Sequence, residues 1–258
     1  MSRLIDKLKK LSQKTPAPMG FRTSKPAETG LPLLIIGRAV IKTTASTAKS
    51  VSGVDAVLVY ADKADLTAEN AQKTAKAFGD IPWGIYLEES GEETKALIEA
   101  GCDFVVFLPT ARIIDLPQEE KTGKIVQVDS SMDDGLLRAI NDLPADAVLV
   151  TDTLENNETL TIHQLMIYRH LANFISKPLI VPVAASITEA ELKALQDADI
   201  DGVMVEMEGE SLKELRETIS KLPPRSAKKR YKAGVLLPRT TGESTAPAPP
   251  DAEEEEDE

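Results

Sequence analysis

One cysteine, Cys102, and two histidines in 258 residues leave little material for redox or soft-metal chemistry. A single thiol excludes a disulfide framework and any Cys-cluster zinc or iron–sulfur site, and it fits a reducing compartment. Aromatic residues make up only 4% of the chain and its net charge is −12. A nucleic-acid groove is therefore not expected, because phosphates need basic surface and bases need rings to stack on. No apolar run approaches the roughly eighteen residues of a membrane span. Met1–Ser12 has no apolar signal core, so the expectation is a cytoplasmic protein without a transmembrane segment. What is present, 42% hydrophobic residues at this length, is enough to bury a core without metal or disulfide staples.

The negative charge is concentrated in the centre of the chain. Residues 31–223 hold 17 Lys and Arg against 32 Asp and Glu, a net of −15. Residues 1–30 are basic, with Leu4, Ile5, Leu8 and Leu11 at helical spacing among lysines. Such a stretch forms a short amphipathic helix, used as a lid under a larger domain or as a docking element for a protein partner. Four prolines then mark an extended connector, Pro16 to Pro32. Residues 224–258 run from a basic block, Arg225–Lys232, into an acidic terminus with too little apolar surface to order itself, which predicts a disordered tail. The charged tail is a second place for a protein partner.

Between these ends, β-branched runs alternate with helix formers. Strands are predicted at Leu33–Arg38, Ala56–Ala61, Trp83–Glu88, Phe104–Leu108, Ile125–Asp129, Ala147–Asp152, Leu179–Val183 and Val203–Glu206. Helices are predicted at Thr44–Val51, Thr67–Phe78, Glu92–Ala100, Met132–Asp142, Leu160–Ser176, Glu189–Gln196 and Ser211–Leu222, and Arg112–Lys121, with Pro117 inside it, is the weakest unit. A repeat chooses between an open sheet and a closed barrel. Asp55, Asp103, Asp146 and Asp201 each precede a mostly small residue and then three apolar ones, at strands two, four, six and eight, while Pro32, Pro82 and Pro178 precede odd strands. A two-strand unit repeated four times predicts a closed eight-stranded parallel (β/α)8 barrel over 31–223, in which alternate strands supply equivalent interior layers. The four aspartates fall at the N-terminal ends of their strands, the stabilising face, and are expected to fasten loops.

The stretch Pro182–Lys193 followed by Asp201–Val205 resembles the last quarter of aldolase-type, phosphate-binding (β/α)8 barrels. In that superfamily, strand seven ends in a paired-glycine turn before a helix and strand eight ends in another glycine. Here the corresponding positions read Ala185-Ser186 and Glu206-Met207-Glu208. A carboxylate at the anion position opposes a dianion, so the phosphate site is expected to be degenerate.

Chemistry in such a barrel collects at the C-terminal strand ends. Those ends nominate Arg38 and Ser186 for substrate binding, Lys42 as electrophile or proton donor, and Glu88, Asp129 or Asp152 as base. A ring of Glu88, Asp129, Asp152 and Glu206 has oxygen ligands for a hard cation, but acids are so frequent here that no metal site is assigned, and the sequence leaves any cofactor open. His163 and His170 share a helix face outside the mouth and lack a third ligand. The 160–176 helix carries one apolar arc of Leu160, Ile167, Leu171, Phe174 and Ile175 and a second of Ile162, Leu165 and Met166, which predicts a homo-oligomer contact. The reading that results is a small-molecule lyase or isomerase acting on an anionic carbonyl-bearing metabolite. Its alternative is a catalytically degenerate barrel serving as scaffold or subunit.

Overall fold

The structure, a computed structural model, describes residues 2–12, 31–43, 51, 53–87, 93–119, 121–151, 159–207 and 211–224. Eight parallel strands pair in chain order and the last returns to the first, closing a barrel. They are β1 (Leu34–Val40), β2 (Ala56–Tyr60), β3 (Trp83–Leu87), β4 (Phe104–Phe107), β5 (Gly123–Val128), β6 (Ala147–Val150), β7 (Leu179–Pro182) and β8 (Gly202–Glu206). The helices among the described residues are α1 (Arg3–Ser12), α2 (Ala68–Phe78), α3 (Glu93–Glu99), α4 (Asp134–Ala139), α5 (Ile162–Phe174), α6 (Glu189–Asp197) and α7 (Ser211–Lys221). None of the described helices is long and apolar enough to cross a membrane.

Helix boundaries follow local chemistry. Thr67, Thr161 and Thr188 cap the N-termini of α2, α5 and α6, and the last two form reciprocal capping boxes with Gln164 and Glu191. Gly79, at φ +56°, ends α2 in a backbone conformation that side chains disfavour. Between β4 and β5 the described residues form only a 3₁₀ turn, Ile113–Asp115, consistent with Pro117 supplying no backbone donor. The helix expected at Thr44–Val51 lies outside the described residues except for Val51, and so does the acidic tail. One expectation is corrected on α5. Its buried residues are Gln164, Tyr168 and Leu171, with Leu165 and Ile167 packed on the flanks, so Leu165 does not belong to an outer arc; Ile162 and Met166 alone of that set are strongly exposed. Gln164 faces inward because its Oε1 accepts from the backbone N–H of Thr161, a duty that apolar periodicity does not register.

The fourfold repeat has a packing meaning. Ile36 lies beside Ala56, Ile125 beside Ala147, and Ile180 beside Gly202, so each odd-even strand pair sets a large interior residue against the small one that follows the repeated aspartate. In the second pair the sizes are exchanged: Gly84 lies beside Phe104, and a Cβ on Gly84 would come within 2.4 Å of the phenyl ring. Three of the aspartates also do one job. Asp55, Asp146 and Asp201 accept the backbone N–H of Ile35, Lys124 and Leu179, the residues whose carbonyls receive their own N–H groups.

Asp103 does another. Its carboxylate accepts from Ser2 Oγ, Arg3 N and Leu4 N, capping α1 from a hundred residues away. α1 then lies across the N-terminal face of the barrel, with Leu4, Ile5 and Leu8 buried against Leu34, Ile36, Phe104 and Ile125 of the interior. Each such burial stabilises by about 2 kcal/mol. Lys9 Nζ reaches Asp146 at 2.8 Å and Lys7 Nζ the carbonyl of Asp55 at 3.3 Å. Gly123 admits the helix: a Cβ there would stand 2.6 Å from Ile5 and 2.9 Å from Ser2 Oγ. The N-terminal helix is thus a lid under the barrel, the first of its two expected uses, and only its charged face is open to a partner.

Candidate functional site

Strand alternation carries the interior pattern upward to the C-terminal rim. On β1 the inward series Leu34, Ile36 ends at Arg38; on β2, Ala56, Leu58 leads to Tyr60; on β5, Ile125 leads to Gln127. Arg38 Nη1 lies 3.0 Å from Glu206 Oε1, and its guanidinium sits 4.4 Å above the Tyr60 ring. Tyr60 stacks in turn on Tyr86, with ring centroids 4.7 Å apart and planes 21° from parallel. The column Glu206, Arg38, Tyr60, Tyr86 therefore spans the rim across β8, β1, β2 and β3. Stacking and the carboxylate fix the guanidinium plane, leaving a cation whose orientation has been set before any ligand arrives.

β5 and the loop following β6 supply a different chemistry. Thr151 Oγ1 donates to the carbonyl of Val128 at 2.9 Å, and Gln127 Nε2 donates to Thr151 Oγ1 at 3.2 Å. Gln127 Oε1 is buried and no donor among the described residues reaches it. An acceptor left this way costs about 1–3 kcal/mol until something supplies a proton.

Of the remaining nominated residues, Lys42, Asp129 and Ser186 are described. Lys42, in a 3₁₀ turn after β1, is held by Asp62 Oδ2 at 3.0 Å and Asp65 Oδ2 at 3.2 Å, and these hydrogen bonds raise its pKa. Asp129 Oδ1 accepts from Ser131 Oγ at 2.6 Å and Ser131 N at 2.8 Å, and these hydrogen bonds lower its pKa, which makes it a persistent carboxylate. Ser186 is exposed in the turn after β7. Glu88 and Asp152 lie outside the described residues. His170 Nε2 is 3.0 Å from Asp134 on the outer surface, and among the described residues no group of three metal-capable side chains occurs. Beneath the rim, a cavity of about 10 Å³ lined by apolar side chains, including Leu4, Ile36 and Phe104, has room for one water at most. That cavity is too small to hold a metabolite. Tyr60, Tyr86, Gln127 and Thr151 were not among the residues nominated from sequence. Inward parity, counted from Leu58 and Ile125, identifies Tyr60 and Gln127, whereas reading only the residues that follow each strand passes over them.

No protein-family model matches the chain, and no curated protein matches it in sequence. Solved structures do. A single-substitution variant of the tryptophan synthase α-subunit from the hyperthermophile Pyrococcus furiosus superposes with a TM-score of 0.57 at 13% identity, covering 73% of this chain and 97% of that one. A second variant of that subunit gives a TM-score of 0.55 at 11% identity over the same shares. A protein from Aquifex aeolicus VF5 gives 0.54 at 15% identity, covering 84% of this chain and 99% of its own. The chain has the fold of a closed (β/α)8 barrel. At these identities the likeness is one of fold.

Proposed function

We propose that the barrel mouth binds a small anionic, carbonyl-bearing metabolite and acts on it as a lyase or isomerase. One observation carries this reading: Arg38 is an inward-facing guanidinium at the C-terminal rim, stacked on Tyr60 and held by a half-exposed carboxylate that an incoming anion can replace. A bidentate Arg–carboxylate pair would orient the substrate. Glu88, Asp129 and Asp152 are the candidate bases, Lys42 the candidate electrophile or proton donor, and Ser186 a further binding group. The fold supports the enzymatic part by analogy, since its solved relatives include a synthase subunit. The test is a titration of the full chain with simple carboxylates by calorimetry. Arg38→Ala should remove binding at least tenfold while leaving the melting temperature within about 2 °C; binding that persists in the variant would move the anion site elsewhere.

A second reading, a barrel acting as a subunit, is supported by α5, where Ile162 is 80% and Met166 65% exposed. Two large apolar side chains at one end of a surface helix suit a contact between copies of the chain. Light scattering tests it: the wild type should be heavier than an Ile162→Glu, Met166→Glu variant, and equal masses would overturn self-association through α5.

A further inference from the structure

We infer that Gln127 determines which anions the mouth accepts, by demanding a hydrogen-bond donor on the ligand in addition to its carboxylate. This rests on the proposed role of Arg38 as the anion anchor. The orientation of the Gln127 amide is dictated by its neighbour. The Thr151 hydroxyl proton is committed to the carbonyl of Val128, so Thr151 Oγ1 can only accept from Gln127, and the amide presents Nε2 to it. Flipping the amide would set two acceptors against each other. Oε1 is therefore turned away from Thr151, buried, with no donor among the described residues. β5 stands four strands from β1 in an eight-stranded ring, so Gln127 faces Arg38 from the opposite side of the barrel.

The two residues together specify a ligand class. Arg38 offers only donors and takes the anionic end, while Gln127 offers an acceptor and takes a hydroxyl or amine at the far end. A plain carboxylic acid leaves Oε1 unmet and forgoes the gain. Hydroxy- or amino-acids long enough to cross the mouth are the substrates this arrangement fits, and discrimination of this kind, a buried polar group unpaired by the wrong ligand, is stronger than discrimination by shape alone.

The probes are ω-hydroxy acids of increasing chain length, beginning with glycolate, each compared with its parent acid by calorimetry on the full chain. At the chain length that spans the mouth, the hydroxy acid should bind about five- to tenfold more tightly than the parent. In Gln127→Leu that ratio should collapse to about one while the parent acid binds as before, and in Gln127→Glu, which keeps an acceptor, part of the ratio should return after correction for weaker anion binding. Equal binding of both acids by the wild type, with Arg38→Ala still abolishing it, would overturn the role of Gln127 and leave the anion site standing. A preference retained in Gln127→Leu would also overturn it. If no acid of either series binds, the role of Gln127 falls together with that of Arg38.

Discussion

The two ends of the barrel use the same residue types for opposite purposes. At the N-terminal face, Asp55, Asp103 and Asp201 have side chains at most about a tenth exposed or fully buried; Asp55 and Asp103 also meet Arg216 and Arg3, but all three carboxylates accept backbone or hydroxyl protons. At the C-terminal rim, Asp62 and Glu206 have side chains 79% and 55% exposed and face lysine or arginine cations. The buried carboxylates below are fasteners whose loss leaves donors unpaired; Asp62 and Glu206 above are counter-ions that solvent or another anion can replace. The contrast separates where the acidic barrel spends its charge on folding from where it keeps charge available for a ligand.

The sharpest way to break the contrast is from below. Leu8 is fully buried beneath the barrel, and Leu8→Ala should cost about 3 kcal/mol, measured by urea denaturation, through lost burial and the cavity left behind. Asp201→Ala should cost about 2 kcal/mol, because it strips the partner from the Leu179 N–H in a fully buried position. Asp103→Ala should cost about 1–2 kcal/mol, the value of a helix cap, and should raise hydrogen exchange selectively in α1. If Asp103→Ala loosened the whole barrel instead, the aspartate would be fastening the sheet like its three counterparts.

Much of this lower face was legible in the sequence. The Asp-small-apolar repeat located the even strands, and Leu4, Ile5 and Leu8 announced a helix with a buried stripe. The departure at the second unit was also written there: Phe104 stands where the other three units have Ala or Gly. Its consequence was not, because the compensating Gly84 and the recipient Gly123 acquire meaning only when the strand register sets them beside Phe104 and Ile5. The rim was less legible. Arg38 was identifiable as the residue ending an apolar run, but its pairing with Glu206 requires closure of β1 on β8, and its stack on Tyr60, itself stacked on Tyr86, requires the parity of three adjacent strands. Gln127 lacked any signal by residue type. Its place at the mouth follows from parity, and its unmet oxygen from the side-chain network around Thr151.

The smallest expected effect on stability belongs to the rim, and it discriminates best between the two uses of a carboxylate. Glu206 and Arg38 are 55% and 32% exposed, so their ion pair contributes at most about 1 kcal/mol, and Glu206→Gln should leave the unfolding midpoint nearly unchanged. Its effect on binding has the opposite sign. Glu206 occupies the guanidinium that a ligand carboxylate needs, and it repels that ligand through a partly screened field. Removing its charge at a separation of about 4 Å relieves between 1 and 4 kcal/mol of repulsion across the dielectric range from water to protein surface. Benzoate should therefore bind Glu206→Gln at least fivefold more tightly than the wild type in low salt, and inorganic phosphate, with its second charge, should gain more than benzoate. The advantage should shrink as ionic strength shortens the Debye length from about 30 Å at 0.01 M to about 8 Å at 0.15 M. A variant that lost stability without gaining anion affinity would place Glu206 among the fasteners and erase the distinction between the two ends. A variant that gained affinity equally for benzoate and phosphate would keep the distinction, but would assign the gain to a vacated hydrogen-bonding position on Arg38 and not to relief of charge.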